Sequence, residues 1–260
     1  MRCPDCGLVQ MPESHCKRCG ASMHASPSTA PFHFPESKSP EPEQKAPWYE
    51  GDWRALVKEL IFYVPPKVNP ISFYGRAALY LVFLIWGFKF ISMDYAQVVG
   101  GYPPINQSFM HSVNLVFHEA GHVIFTPFGR FITVLGGTLG QWLIPFVVLC
   151  AFLLKTRDTF AAGIGLWWLG QSFLDVAPYI NDASAEQLVL LGGVTGRDVP
   201  GYHDWNNILR DLGWLQYDHT IAGIVYGTGV ILMLMAFAWG AYILYLQQKN
   251  LAKPFEQVDI

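Results

Sequence analysis

Charged residues are scarce in this chain of 260 residues: Asp, Glu, Lys and Arg make up 14% of it, and hydrophobic residues 52%. Ordinary soluble domains carry about 25% charged residues, so this deficit argues against a fully water-solvated surface and indicates that lipid is one of the solvents. The net charge of −3 at pH 7 provides no basic surface for nucleic acid. The composition therefore predicts a protein in contact with the lipid bilayer that binds no nucleic acid.

A recognisable signal peptide is also missing, because the chain opens with Met-Arg-Cys-Pro-Asp-Cys instead of a basic segment and an apolar core. The first apolar span is therefore expected to act as its own insertion signal. Residues 21–47 are rich in proline and serine, which is typical of a disordered linker. Residues 48–66 combine aromatic and basic side chains and end in two prolines, as expected of an amphipathic helix at the membrane surface.

Cysteine is rare too, and four of the five cysteines are concentrated in residues 1–20. They form two C-x2-C pairs separated by nine residues: Cys3, Cys6, Cys16 and Cys19. In the cytoplasm such pairs favour a structural zinc ion bound by four thiolates over two disulfides. Residues 1–20 resemble the short zinc ribbons at the start of many prokaryotic membrane proteins. That resemblance implies a prokaryotic inner (plasma) membrane, and a ribbon that recruits a protein partner or substrate.

Residues 67–250 hold the long apolar runs and predict an all-α polytopic membrane domain of four to five membrane helices. Flanking lysines and arginines place the N-terminus in the cytoplasm. Two topologies stay open, because the second segment either crosses the membrane or enters it as a hairpin-like helix. The predicted segments are approximately 75–93, 105–126, 137–154, 159–180 and 221–246.

Residues 118–122 of the second segment read His-Glu-Ala-Gly-His. Side chains four residues apart stack on one face of a helix, so His118 and His122 can bind one zinc ion together. Glu119 would lie beside the metal, where a carboxylate can take a proton from zinc-bound water. Because such residues are costly at membrane depth, they favour a functional site over packing. They belong to a polar stripe expected to face protein or a wet cavity: Gln107, His111, Asn114, His118 and His122.

A catalytic zinc site of this kind needs a third protein ligand and keeps its fourth position open. Asp175 is the first candidate, because an acid inside an apolar segment must have a polar partner. Pro178 would break the helix nearby and free backbone groups close to the site. Asp182 and His203 are the other candidates for the third ligand. A neutral or hydrogen-bonded acid is the alternative explanation of Asp175.

The chain resembles the integral-membrane zinc metalloproteases of the site-2 protease type, which place H-E-x-x-H in one membrane helix and recruit an aspartate from a later one. The matching parts are residues 118–122, a glycine-rich start to the next helix at 136–141, and residues 175–182, which are similar to the family's N-x-x-P followed by L-D-G. The chain departs from that pattern, since Asp175 replaces the asparagine, the spacing from proline to aspartate is one residue shorter, and no Asp-Gly follows. A strict family register would make Asp182 the ligand and Asp175 a positioning residue.

The resulting hypothesis is a membrane-embedded zinc metalloprotease that hydrolyses peptide bonds of membrane-associated substrates, with one catalytic and one structural Zn²⁺. Glu119 is the predicted catalytic base, and His118, His122 and Asp175 are the predicted ligands of the catalytic zinc ion. The alternatives are an idle membrane scaffold or adaptor with structural zinc, and a zinc transporter or sensor. An idle site predicts about one zinc ion per chain instead of two.

Overall fold

The structure, a computed structural model, describes residue 5, residues 15–20 and residues 53–251. These residues contain α-helices, short helical turns and isolated β-bridges but no β-strand, which confirms the prediction of an all-α fold. The α-helices are α1 (Trp53–Phe62), α2 (Pro70–Ile91), α3 (Phe109–Phe125), α4 (Arg130–Ala151), α5 (Thr159–Asn181), α6 (Asp204–Asp211) and α7 (Asp218–Lys249). A π-helical turn, Phe152–Thr156, extends α4.

Polar side chains fix where the helices around the site begin. The side chain of Ser108 accepts a hydrogen bond from the backbone N–H of His111 at 3.2 Å and thereby caps the N-terminus of α3. Asp158 caps α5 in the same way, accepting from the N–H of Ala161 at 3.1 Å. Each cap satisfies a backbone donor that has no partner within its own helix. The start of α3 in turn sets which face of that helix the two histidines occupy.

Three stretches in the described part of the chain are long and apolar enough to cross a membrane: Pro70–Ile91, Arg130–Thr156 and Leu215–Lys249. This agrees with the prediction of a membrane protein, but the number is lower than the four to five predicted helices. The helix α3 has 17 residues and is about 26 Å long, short of a hydrocarbon core of about 30 Å. The helix α5 is long enough at 23 residues, but polar residues such as Gln171 and Asp175 reduce its mean hydropathy.

The helix α5 is the most buried of the described helices and packs against α7, α4 and α2. Trp167 of α5 lies at the centre of the apolar core, together with Phe90 of α2 and Met233 of α7. The indole Nε1–H of Trp167 donates to the carbonyl of Phe83 at 3.1 Å, so its polar atom is satisfied inside the core. This core supports one side of α5, and its other side faces the candidate site.

Glycines bring α3 and α4 unusually close together. A Cβ on Gly121 would overlap the carbonyl of Gly136, and a Cβ on Gly140 would lie 2.6 Å from the carbonyl oxygen of Phe117. No larger residue fits at these points without moving a backbone. The close approach brings the side chains of α4 within hydrogen-bonding distance of the two histidines on α3.

The chain divides into two compact units, residues 1–50 and residues 51–260. In the first unit Cys16 is buried, Cys19 is exposed, and the N–H of Gly20 donates to the carbonyl of Cys16 at 2.9 Å. Cys3, Cys6 and the predicted linker at residues 21–47 lie outside the described residues, so the zinc ribbon stays a prediction. In the second unit α1 falls within the segment that the sequence assigned to the membrane surface.

Candidate metal centre

Two histidines and one aspartate converge on a single point. His118 and His122 lie on one face of α3, with ring centroids 5.0 Å apart. Asp204, the first residue of α6, has its Oδ2 atom 3.1 Å from His118 Nε2 and 3.2 Å from His122 Nε2. One ligand atom from each residue lies within 4.8 Å of the other two, which is close enough for all three to bind one metal ion. The sequence predicted the histidine pair but not Asp204.

The outer nitrogens of both imidazoles are held by neighbouring groups. The Nδ1 atom of His122 lies 2.8 Å from the backbone carbonyl oxygen of Thr133, and that of His118 lies 3.2 Å from Oε1 of Gln141. Because both partners are acceptors, each Nδ1 carries a proton, and a metal ion would replace the Nε2 protons that Asp204 accepts in its absence. Both tautomers therefore suit metal binding, and α4 supplies both partners.

Gly137 of α4 lies directly against the two imidazoles. A Cβ added to this glycine would be 2.5 Å from His118 Nε2 and 2.6 Å from His122 Nε2. Both separations are well inside van der Waals contact, so the lack of a side chain at this position lets α4 approach the two rings. The donor set of two imidazoles and one carboxylate fits a zinc ion.

A short tripeptide, His203-Asp204-Trp205, sets the position of the acid. The Nδ1 atom of His203 accepts a hydrogen bond from the N–H of Asn206 at 3.2 Å and caps α6. The indole of Trp205 donates to Thr138 Oγ1 on α4 at 3.2 Å, next to Gly137. The N–H of Asp204 donates to the hydroxyl of Tyr179 at 2.8 Å. His203, a predicted candidate ligand, therefore holds the helix that carries Asp204.

Asp175, the first candidate for the third ligand, does not join His118 and His122. Its carboxylate is buried and accepts hydrogen bonds from amides and an imidazole, which matches the hydrogen-bonded alternative considered for this residue. The donors are Asn106 Nδ2 at 3.1 Å, His111 Nδ1 at 3.1 Å, Asn114 Nδ2 at 3.2 Å and Gln141 Nε2 at 3.0 Å. Since Gln141 also contacts His118, Asp175 is connected to the candidate metal centre through Gln141.

Asp182, the other predicted acid, has a role in the loop. Its two carboxylate oxygens accept hydrogen bonds from the N–H groups of Gln187 at 3.0 Å and Leu188 at 2.9 Å. These bonds shape the start of the segment that leads from α5 to Asp204. The structure thus gives both predicted acids supporting positions, and Asp204 occupies the place that the sequence assigned to Asp175.

The metal centre opens into a cavity of about 620 Å³. Glu119 is exposed and lines this cavity next to His118, His122 and Asp204. Burial tends to raise the pKa of Asp204, but the hydrogen bonds that it accepts from His118 and His122 outweigh burial and lower the pKa to about 2. Asp204 is therefore an anion at neutral pH, as a metal ligand must be, while Glu119 is placed to act on a molecule in the cavity.

Comparison with known proteins finds no match to any family model, curated protein or solved structure. The interpretation of the site therefore depends on its own geometry.

Proposed function

We propose that this protein is a membrane-embedded zinc metalloprotease, similar in chemistry to the site-2 protease type, with zinc bound by His118, His122 and Asp204. The observation that carries the proposal is the convergence of these three residues on one point. Two imidazoles and one carboxylate form a ligand set used by zinc hydrolases, and they leave a fourth position for water or substrate. A structural zinc site would instead close all four positions.

Zinc bound there would polarise a substrate carbonyl and lower the pKa of a water molecule to about 7. Glu119, which follows His118 directly and faces the cavity, would take a proton from that water and deliver it to the leaving amine. Asp204 would supply the negative charge of the third ligand. Gln141 and the carbonyl of Thr133 would keep both Nε2 atoms directed at the metal throughout the reaction.

The surroundings of the site support a peptide substrate that reaches it from the membrane. Phe109, Val116 and Val123 form an exposed apolar face along α3, on the same helix as Glu119. Leu188, Val189 and Leu190 also line the cavity and provide apolar surface for substrate side chains. On this proposal α3 and α5 lie at membrane depth beside the three spanning helices, and the N-terminus is cytoplasmic in a prokaryotic plasma membrane.

Cleavage by the full-length protein in lipid vesicles tests the proposal. Purified protein would be incubated with fluorogenic peptides and with single-span membrane proteins, with and without added zinc. We expect zinc-dependent hydrolysis by the wild type and a loss of at least about 100-fold in the Glu119→Gln variant, because general acid–base catalysis contributes about that much. Both proteins should bind the same amount of zinc. A Glu119→Gln variant that cleaves at the wild-type rate would contradict the role of Glu119, and a wild type that binds zinc but cleaves nothing would favour the idle scaffold.

A further inference from the structure

The cavity that contains the metal centre has a second polar end at His111. His111 and His118 are seven residues apart on α3, which is nearly two full turns, so their side chains share one face about 10 Å apart along the helix. Both residues line the cavity. The chemistry proposed above gives no role to His111, although a polar group at this depth is costly unless it is used or paired.

The carboxylate of Asp175 contacts the Nδ1 atom of the His111 ring. The Nδ1 atom of His111 lies 3.1 Å from both carboxylate oxygens of Asp175, whose side chain is only 2% exposed. The remaining donors to this carboxylate are neutral amides: Asn106, Asn114 and Gln141. A positive charge nearby stabilises a buried carboxylate further. Among the described residues that contact Asp175, only His111 can supply it as an imidazolium.

The rest of the His111 ring is left for the cavity. Because Nδ1 is engaged by Asp175 and by the amide of Asn106 at 2.9 Å, the ring edge that carries Nε2 is available to a ligand, and the side chain is 29% exposed. An imidazolium held in this way presents one N–H donor with positive charge. Its preferred partner is a carboxylate, because charge-assisted hydrogen bonds are about twice as strong as neutral ones.

We infer that His111 is a specificity subsite that binds a carboxylate of the peptide substrate; this inference rests on the proposed protease function. An extended peptide advances about 3.3 Å per residue, so 10 Å along the cavity corresponds to about three residues. The carboxylate therefore lies about three residues from the bond that is cleaved. It belongs either to an Asp or Glu side chain or to the C-terminus of the peptide.

Matched peptide pairs test this subsite in the full-length protein. Each pair would carry Asp or Asn at one position, two to four residues on either side of the cleaved bond, and each peptide would be made with a free or amidated C-terminus. We expect kcat/KM to favour the acidic peptide by about tenfold or more at one position, the size of one charge-assisted hydrogen bond. The His111→Gln variant should reduce this ratio to near one. His219→Gln, a change at an exposed histidine that contacts Asn181, should retain it.

Binding measurements separate this inference from the protease proposal. Labelled acidic and amide peptides would be titrated onto zinc-loaded Glu119→Gln protein, with and without His111→Gln, and zinc content would verify that each variant folds. Preferential binding of acidic peptides that depends on His111, without cleavage by the wild type, would support the subsite and contradict the protease. Cleavage with no acid preference at any position, or with a preference unchanged in His111→Gln, would overturn the subsite and leave the protease proposal standing.

Discussion

Oδ2 of Asp204 lies 3.1 Å from Nε2 of His118, although 86 residues separate the two in the sequence. The contact joins the start of α6 to the middle of α3, and the same carboxylate oxygen lies 3.2 Å from Nε2 of His122. A carboxylate between two imidazoles in a partly buried cavity is a donor set that suits a metal ion. Asp204 is thus the residue whose replacement tells most about the site.

Replacement of Asp204 by alanine should remove zinc from the catalytic centre. The loss of one of three protein ligands is expected to weaken zinc binding by more than the 10–100-fold typical of changes to residues that only hydrogen-bond to a ligand. Zinc content of the purified protein, measured by elemental analysis, should fall by about one ion per chain. Asp175→Asn is the matched comparison. It should weaken zinc binding less, because Asp175 reaches His118 only through Gln141.

A Cys3→Ser variant controls for the predicted ribbon and should lose the other zinc ion. The two losses should be additive if the sites are independent. Full zinc content in Asp204→Ala, or an equal loss in Asp175→Asn, would contradict the assignment of Asp204 as the third ligand.

The sequence was sufficient for one half of this centre and not for the other. His118, Glu119 and His122 were predictable because helical geometry alone fixes the relation between residues four apart. The position of Asp204 depends on a loop shaped by Asp182 and on the packing of Trp205 against Thr138. No local periodicity encodes these contacts. The sequence feature that could have pointed to Asp204 is the tripeptide His203-Asp204-Trp205, which follows a polar loop.

Asp175 lies outside the group formed by His118, His122 and Asp204 for a related reason. The predictions that Asp175 is buried and needs a polar partner are both confirmed, since its side chain is 2% exposed and engages four polar side chains. A sequence shows that a buried acid must be paired, but it does not identify the partner. The helix count differed because hydropathy does not distinguish a helix buried in protein, such as α5, from one surrounded by lipid.

Gln141→Leu should weaken zinc binding by about 10–100-fold, because His118 would lose the group that fixes its tautomer and ring orientation. Asp175 would lose a donor at the same time, which should lower the free energy of unfolding by about 1–3 kcal/mol. Zinc titration and denaturant unfolding in detergent measure the two effects. Gln171→Leu is the matched control, because Gln171 is buried and accepts from Asn114 without contacting a zinc ligand. Equal zinc affinities in the two variants would contradict the role of Gln141.

Acid should destabilise the chelator-treated protein through Asp204. Burial opposes the effect, but hydrogen bonds to His118 and His122 lower the pKa of this carboxyl from 3.8 to about 2. Because the folded pKa lies below the unfolded one, the stabilisation is complete above about pH 4 and is lost as the pH falls towards about 2. Thermal unfolding across this range should show a contribution of about 2 kcal/mol from this group. Asp204→Asn should lack it, and parallel pH curves for the two proteins would refute the expectation.

Gly137→Ala should abolish zinc binding at the catalytic centre while the protein stays folded. The added methyl group would lie 2.5 Å from His118 Nε2 and 2.6 Å from His122 Nε2, so it would push both rings out of the positions in which they can share one ion. In a helix interior this substitution otherwise favours folding by about 0.5–1 kcal/mol. Gly163→Ala in α5 is the control, because its Cβ would meet no atom within 4 Å. Helix content by circular dichroism should be unchanged in both variants. Only Gly137→Ala should lose zinc and peptide hydrolysis, and normal zinc affinity in that variant would mean that zinc binding does not depend on the close contact between Gly137 and the two rings.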